Sequence, residues 1–274
     1  MWYVDPASLG DQLAAVDLGL FTAATVVYTA GAVLAATRWN FIARALGLAA
    51  PLGSTVAMFF RGFTMNMLLP GATVSGDLLR SYQLARLGEN RLVIAALSVI
   101  LDRLSGLWML CVLSLVSLLG AAAAGMLAAM SREAFLAYVG LLLAAVAAPW
   151  IPIPFSNGLE EKRRQAMAAG GAFFRAAGLS IAVQVVYAFS LLLCTLAAGI
   201  GLSFPLVLAA AAPIFIMGAV PLGWAGFGTR ELAAVVVLGL LGVPADQATA
   251  AALLYGLTQV AQGVLGAPLF LAKV

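Results

Sequence analysis

Long apolar stretches, each about the length of a membrane-spanning helix, constrain this chain more than any other feature of its sequence. A helix needs roughly 20 apolar residues to cross a hydrocarbon core of about 30 Å. Such runs occur at residues 12–36, 93–120, 135–155, 178–201 and 247–272. In a bilayer the backbone must pair all its polar groups internally, which leaves helices and closed barrels as spanning structures. The runs are rich in Ala, Leu and Gly and lack the alternation of barrel strands, so they predict helices.

The composition agrees with lipid as the solvent for most of the protein surface. Of 274 residues, 64% are hydrophobic and 9% are charged, whereas soluble domains carry about 25% charged residues. The absence of histidine from the sequence excludes common zinc sites and Ser-His-Asp hydrolases. Cys111 and Cys194 lie far apart in apolar runs, so we interpret them as buried apolar side chains rather than a disulfide or a metal pair. We expect no cofactor, no metal and no nucleic-acid partner.

Two further apolar segments, 50–88 and 205–242, are each interrupted near the middle by Pro and Gly. The interruption covers residues 70–76 in the first segment and 221–228 in the second. The arms on either side are short for a membrane crossing. We therefore predict two re-entrant helical hairpins whose loops lie inside the membrane. The sequence leaves open an alternative of two Pro-kinked pairs of short spans without re-entry.

The basic residues of the connecting loops predict the orientation, because Lys and Arg favour the cytoplasmic side. In this arrangement nine of them fall on one side: Arg38, Arg44, Arg86, Arg91, Lys162, Arg163, Arg164, Arg175 and Lys273. Arg132 falls on the other side, together with the acidic N-terminus and Asp246. We expect a protein of the cytoplasmic membrane with its N-terminus outside and its C-terminus in the cytoplasm.

With this orientation the two hairpins enter the membrane from opposite sides. Residues 12–120 and 178–272 then become antiparallel copies of one plan, a span, a hairpin and a span, linked by the span at 135–155. Inverted repeats of this kind, with broken helices near the midplane, are common in secondary transporters. We predict one all-α, polytopic transmembrane domain over residues 1–274, with two inverted repeats that each contain a Pro/Gly-broken re-entrant hairpin.

Charged residues lie within the apolar segments or at the hairpin tips: Arg61, Asp77, Arg80, Asp102, Arg103, Arg230 and Glu231. A charge at the centre of a membrane helix costs about 2.5–3.5 kcal/mol to insert. These side chains must therefore be paired, hydrated or close to an interface. One interpretation is a set of buried ion pairs that lock helices together. We favour a charged cavity reached by water, because both hairpin loops bring charges to the same depth.

The second arm of each hairpin begins just after a glycine-rich loop, with Ser75 or Thr229 available as an N-cap. The positive end of that helix then faces the centre of the protein and favours an anion. Arginine adds a planar donor fork that suits phosphate. We predict a substrate-binding site made of Arg61, Asn66, Gly71, Gly76, Asp77, Arg80, Asp102, Arg103, Gly223, Trp224, Gly226, Gly228, Arg230 and Glu231.

Within this site, three arginines are expected to bind the phosphate, namely Arg61, Arg80 and Arg230. The acids Asp77, Asp102 and Glu231 are expected to hold those arginines or to carry a coupling proton. Asn66 and the loop glycines supply further donors.

Four short motifs occur in a fixed order: Arg38-Trp39, then Asn66 to Gly71 with Gly76 to Arg80, then Asp102 to Gly106, and last Pro221 to Glu231. Together they resemble the transmembrane region of lysylphosphatidylglycerol synthase and its flippase-like relatives, over about residues 35–270. The resemblance implies a flippase-like integral membrane protein. It also implies a lipid such as aminoacylated phosphatidylglycerol, or a role in polyprenyl-linked glycolipid or hopanoid pathways.

The resemblance does not imply lipid synthesis, because the sequence has no counterpart of the cytosolic aminoacyl-transferase domain of the bifunctional synthases. No catalytic constellation is evident, so we expect a protein that is not an enzyme. Relatives usually carry one more apolar helix before the region that starts here at Val4, so the resemblance suggests a shortened start.

We expect a lipid transporter that holds an anionic headgroup in a midplane cavity while the acyl or prenyl tail stays in the lipid. The expected partner is a phospholipid, aminoacylated phosphatidylglycerol or a polyprenyl-phosphate-linked lipid, and an oligomer is compatible with this role. Three alternatives stay open. They are a secondary transporter of a small anion, a membrane-embedded enzyme that uses carboxylate chemistry on a lipid, and a subunit that only anchors partners.

Overall fold

The fold is described from a computed structural model, which describes residues 6–69, 71, 74–87, 91–148, 170–222 and 225–271. Within these residues the protein consists of ten α-helices and has no strand. The helices are α1 (Pro6–Ala14), α2 (Leu18–Ala45), α3 (Leu52–Leu68), α4 (Val74–Leu87), α5 (Leu92–Ala123), α6 (Arg132–Ala147), α7 (Gly170–Ala197), α8 (Phe204–Ala219), α9 (Thr229–Gly239) and α10 (Ala245–Gly266). A 3-10 helix follows α10 at Ala267–Leu271. The all-α prediction is confirmed for the described part of the chain.

Four helices in the described ranges are long and apolar enough to cross a membrane, namely α2, α5, α7 and α10. They correspond to four of the five spans predicted from the sequence. The fifth predicted span, 135–155, coincides with α6, which has 16 residues. Its last part, residues 149–155, lies outside the described residues.

Helix α2 lies later in the chain than the span at 12–36 predicted for it. It begins at Leu18 because Asp17 caps it: the Asp17 carboxylate accepts the backbone N–H of Leu20 at 3.0 Å. The preceding residues form the separate helix α1. Extension of α2 to Ala45 also brings Arg38 inside the protein, where it is buried. The interpretation of Arg38 as a cytoplasmic loop residue is therefore wrong, and the loop-charge pattern loses that member.

Helices α3 and α4 pack against each other as a hairpin, and so do α8 and α9. Glycines bring the two backbones of each hairpin into direct contact. A Cβ atom on Gly76 would overlap the carbonyl oxygen of Gly62, and one on Gly226 would overlap that of Gly218. Gly226 also has a φ of +78°, which other residues rarely adopt. Both hairpins therefore depend on glycine at their points of closest approach.

Two hydroxyl groups tie the arms of these hairpins together. Ser75 lies inside the first turn of α4, and its hydroxyl donates to the Met65 carbonyl at 3.3 Å. The Thr229 hydroxyl donates to the Met217 carbonyl at 2.7 Å. The prediction that these residues are N-caps is wrong, because each hydroxyl bonds across the hairpin to the first arm.

The remaining helices pack in pairs around the hairpins. Helix α2 lies along α7, α3 packs on α10, and α5 packs on α8. Alanines are frequent at these contacts, and α8 buries four in a row, Ala209 to Ala212. Small residues allow membrane helices to approach closely. The resulting van der Waals contacts hold the helices together, because lipid provides no hydrophobic driving force between them.

The glycine contact in the first hairpin generates a test. Gly76→Ala should lower the stability of the protein by about 1–3 kcal/mol, because the added methyl group overpacks against the backbone of α3. Gly120→Ala is the matched control: Gly120 lies in α5 with open space around its Cβ position. That change should be neutral or stabilising by up to about 1 kcal/mol through helix propensity. Thermal unfolding of the purified protein in detergent measures both, and equal midpoints for the two variants would contradict the close contact.

Candidate functional site

A cavity of about 160 Å³ lies between the two hairpins. The first hairpin contributes Asn66 and Gly76 to its wall, and the second contributes Ala225 and Arg230. Helices α2, α5, α7 and α10 complete the wall. Described residues of both hairpins therefore border one common space.

On the α4 side of the cavity, Asp77 holds two arginines. Its Oδ1 atom lies 2.7 Å from Nη2 of Arg80, which stands one turn later on the same face of α4. Arg103 of α5 binds both oxygens of Asp77, with Nε and Nη2 at 2.9 Å each. The Arg103 side chain is 38% exposed and that of Asp77 is 23% exposed, so this end of the cavity is reached from outside the protein.

Deeper in the protein, Asp102 holds Arg38 and a second nitrogen of Arg80. Nε of Arg38 lies 2.8 Å from Oδ1 of Asp102, and Nη1 of Arg80 lies 3.8 Å from Oδ2. Arg38 also donates to the hydroxyl of Ser180 at 2.9 Å. Asp102 and Arg103 are adjacent on one helix and point in different directions, which explains why Arg103 has Asp77 as its partner instead.

Arg80 is also enclosed by two aromatic rings. Its Cζ atom lies 4.8 Å from the ring centroid of Trp39 and 4.6 Å from that of Phe59. Cation–π contacts of this kind stabilise a guanidinium without using its in-plane N–H donors. Arg80 thus has one hydrogen-bonded carboxylate, a second carboxylate at 3.8 Å and two rings around it.

Arg230 is in a different situation from Arg80. It is 1% exposed, and its Nη1 and Nη2 atoms are buried without a hydrogen-bond partner among the described residues. Nε lies 3.4 Å from Oε1 of Glu231, and Cζ lies 5.0 Å from the ring centroid of Phe227. A buried charged donor without a partner is costly. Arg230 is thus a wall residue of the cavity whose two terminal nitrogens are buried without a partner among the described residues.

The first turns of both second arms are capped by side chains. Oδ1 of Asn66 accepts the N–H of Gly76 at 2.7 Å, at the start of α4. The carboxylate of Glu231 accepts the N–H of Gly228, at the start of α9. Because these N–H groups have internal partners, the helix ends contribute less to anion binding than the sequence suggested. Among the described side chains that line the cavity, the buried donors without a partner are those of Arg230.

Half of the residues predicted for the site line the cavity: Asn66, Gly76, Asp77, Arg80, Asp102, Arg103 and Arg230. Glu231 is connected to it through Arg230. Gly71, Gly226 and Gly228 shape the hairpin turns with positive φ angles instead of lining the cavity. Gly223 and Trp224 lie outside the described residues.

Arg61 points away from the cavity, toward the end of the chain. Its Nε donates to the carbonyl of Leu269 at 3.0 Å, and Nη2 donates to the same oxygen. The ring of Phe270 lies 5.5 Å from its Cζ atom. Arg61 thus connects α3 to the 3-10 helix rather than joining the other arginines.

Sequence reasoning missed several residues of the cavity wall: Tyr28, Arg38, Gln184, Tyr187 and Tyr255. The rings of Tyr28 and Tyr187 lie 4.7 Å apart, and those of Tyr28 and Tyr255 lie 5.5 Å apart. Gln184 donates to the carbonyl of Gly106 at 2.9 Å. Their signal was available, since each polar side chain stands within or just beyond an apolar run.

The cavity wall is cationic overall. It contains four arginines and two aspartates, which gives a formal charge of +2 from 4 minus 2. Paired guanidinium N–H groups match the oxygens of a phosphate or carboxylate. In the described ranges, no group of three or more His, Cys, Asp or Glu side chains is placed to hold a metal ion. The arrangement can therefore hold an anion at Arg230 on a scaffold of internally paired arginines.

The pairing of Asp102 generates a stability prediction. Asp102→Asn should cost roughly 3–5 kcal/mol, because it leaves Arg38 buried with less compensation. The double variant Arg38→Met with Asp102→Leu should be more stable than Asp102→Asn, since apolar replacements of a whole buried pair are often neutral. Arg80 retains its ion pair with Asp77 in this double variant. Asp11→Asn, at an exposed acid, is the control and should stay within about 0.5 kcal/mol. Thermal unfolding decides: a double variant no more stable than Asp102→Asn would contradict the ion-pair interpretation.

Residues 1–266 match the family described as "Lysylphosphatidylglycerol synthase TM region". This match confirms the resemblance seen in the motifs. The comparison with curated proteins found no match. The apolar helices of the described residues fit a protein embedded in a membrane. The chain therefore belongs to the lysylphosphatidylglycerol synthase transmembrane-region family, and it is an integral membrane protein of a family related to lipid handling.

Proposed function

We propose that the protein translocates an anionic lipid, and that the phosphate-bearing headgroup binds at Arg230 in the cavity between the hairpins. The observation that carries this proposal is the pair of buried Arg230 nitrogens that have no hydrogen-bond partner in the described part of the chain. A phosphate oxygen at these nitrogens would supply the missing acceptors. Arg80 and Arg103 then act as the positive scaffold of the cavity, with Asp77 and Asp102 holding them in place.

The open end of the cavity favours a lipid over a soluble anion. Asp77 and Arg103 are the partly exposed members of the charge network. The residues that follow them, Leu78 and Leu104, are 67% and 54% exposed. In a bilayer these side chains contact acyl chains. A headgroup can therefore occupy the cavity while its tail remains along the outer faces of α4 and α5.

The helix contacts support the two inverted repeats as part of this proposal. If α2 to α5 correspond to α7 to α10, the contact of α5 with α8 has its counterpart in that of α10 with α3. The contacts of α4 with α5 and of α9 with α10 also correspond. Two opposed hairpins that share one cavity fit alternating access, in which one repeat moves against the other. We propose that the hairpins are re-entrant and enter from opposite sides.

Transport fits the acids of the site better than catalysis on a lipid does. Asp77 and Asp102 each bind two arginines. Glu231 binds a backbone N–H and Arg230. A general base must be within reach of a substrate proton and able to accept it, and these carboxylates are occupied by cations. We therefore propose that the protein does not modify the lipid chemically.

Lipid binding at Arg230 is measured by thermal unfolding with dihexanoyl-phosphatidylglycerol, with dihexanoyl-phosphatidylcholine for comparison. The anionic lipid should stabilise the wild type, by about 2.7 kcal/mol at 100 times its Kd. Arg230→Ala should lose that gain, and its stability without lipid is measured separately because the change also removes the 3.4 Å ion pair with Glu231. Arg230→Lys should keep the charge but lose the planar fork, and should fall between them. Arg44→Ala, at an exposed position, is the control for net charge.

A second variant displaces the guanidinium without removing it. A Cβ atom on Gly256 of α10 would overlap Nη2 of Arg230, the far end of a flexible side chain. Gly256→Ala should therefore shift Arg230 and reduce the lipid-induced stabilisation while the fold survives. Equal lipid stabilisation of wild type, Arg230→Ala and Gly256→Ala would remove Arg230 from the site.

The proposed orientation is measured by cysteine labelling in intact cells. A cysteine near Met130 should react with an impermeant thiol reagent from outside. Cysteines near Lys162 or at the C-terminus, which lie outside the described residues, should react only after permeabilisation. The native Cys111 and Cys194 are buried and should give little background. Labelling of both loops from the same side of the membrane is the result that refutes inverted repeats.

A further inference from the structure

The two hairpins place one arginine each in equivalent positions. Arg80 stands four residues after Gly76, and Arg230 stands four residues after Gly226. Each of these glycines packs on the first arm at another glycine. The stem of each arginine passes over that other glycine. The stem of Arg80 lies 3.4 Å from the Cβ position of Gly62, and that of Arg230 lies 3.6 Å from the Cβ position of Gly218.

The environments of the two guanidinium groups differ, and one difference lies at the residue three positions before each arginine. Three residues before Arg80 stands Asp77, whose Oδ1 binds Arg80 at 2.7 Å. Three residues before Arg230 stands Phe227, whose ring centroid lies 5.0 Å from Cζ of Arg230. An acid in the first hairpin is thus replaced by an aromatic ring in the second.

We propose that Phe227 keeps Arg230 available to an anion, because a ring stands here at the position that the acid Asp77 holds beside Arg80. This inference rests on the proposed function, since it explains how Arg230 stays available for the phosphate of a headgroup. Phe227 is a positioning residue in this role. It acts on the ligand through Arg230 rather than by contact.

A ring and a carboxylate approach a guanidinium from different directions, and this difference is the physical basis of the proposal. An aromatic face attracts a guanidinium through its quadrupole and leaves the in-plane N–H donors free. A carboxylate takes those donors in a charge-assisted, often bidentate pair, as Asp77 does with Arg103. Glu231 occupies only the Nε side of Arg230. The two terminal nitrogens remain together as an end-on fork for two oxygens of one phosphate.

Helix α10 fixes the same arrangement from the other side. At Gly256 a Cβ atom would overlap Nη2 of Arg230 and would lie 2.7 Å from Cε1 of Phe227. The ring and the guanidinium are therefore packed together against a glycine. With this packing, the ring at 227 holds Arg230 against α10 without neutralising it.

The test introduces the missing acid. In the full-length protein, Phe227→Glu should give Arg230 an internal partner, so the unfolding midpoint without ligand should hold or rise. The stabilisation by dihexanoyl-phosphatidylglycerol should be lost, with an apparent Kd weaker by roughly tenfold or more. Phe227→Gln matches the length of Glu without its charge, and it should weaken binding clearly less than Phe227→Glu does, because it loses the ring but adds no acid. Phe227→Asp provides a shorter acid that should act in the same direction.

The possible outcomes separate the role of Phe227 from the proposed function. If Phe227→Glu keeps the lipid stabilisation, or if the Gln variant loses it equally, the proposed role of Phe227 is wrong while lipid binding at Arg230 stands. Unfolding of both acid variants would also overturn it, because an acid beside an unpaired arginine should be accommodated. If the wild type itself gains no stability from dihexanoyl-phosphatidylglycerol, the proposed function fails instead. A parallel series with inorganic phosphate distinguishes a free anion from a lipid headgroup as the source of the phosphate.

Discussion

The desolvation of arginine is the interaction on which the rest of this structure depends. Four guanidinium groups surround one cavity in a chain whose exterior is apolar, and each must find a partner away from water. Arg38, Arg80 and Arg103 find theirs in Asp77 and Asp102, which come from different helices. The ion pairs therefore fix the relative positions of α2, α4 and α5. The same requirement makes the unpaired nitrogens of Arg230 conspicuous, because nothing else in the network is left in that condition within the described residues.

Glycine makes that network possible by letting the helices approach closely enough to share charges. Gly62 and Gly76 hold α3 against α4, and Gly106 leaves room for the guanidinium of Arg38 beside α5. Without a hydrophobic driving force between helices in lipid, such close packing must come from shape and from polar contacts. Packing and charge pairing thus reinforce each other. A methyl group at one of these glycines would separate the helices and lengthen the ion pairs that they carry.

Much of this arrangement was predictable from the sequence, and the failures have local causes. Apolar run length located four spans, and the Pro/Gly interruptions located both hairpins, because bilayer thickness and backbone pairing act on any sequence in the same way. Asp77, Asp102 and Arg230 were predicted since charges in apolar runs are rare. Arg38 was missed because the end of α2 depends on tertiary packing beyond Ala36. The contact of Arg61 was not predicted, since its partner, the Leu269 carbonyl, is 208 residues away in sequence and carries no signal of its own.

The asymmetry between the hairpins suits a protein that must both bind a ligand and release it. If the arginines of both hairpins had full internal partners, an anion would gain no binding energy from them. If both were unpaired, the empty protein would be unstable. Here Arg80 lies between two carboxylates and stabilises the wall, while Arg230 keeps part of its desolvation cost unrecovered among the described residues. An anion that binds Arg230 recovers this cost, and the bound form is more stable by that amount. Under the proposed function, the residue that destabilises the empty cavity is also the one that gives the ligand its affinity. The stability of the empty protein and the strength of binding should then change in opposite directions when Arg230 gains or loses a partner.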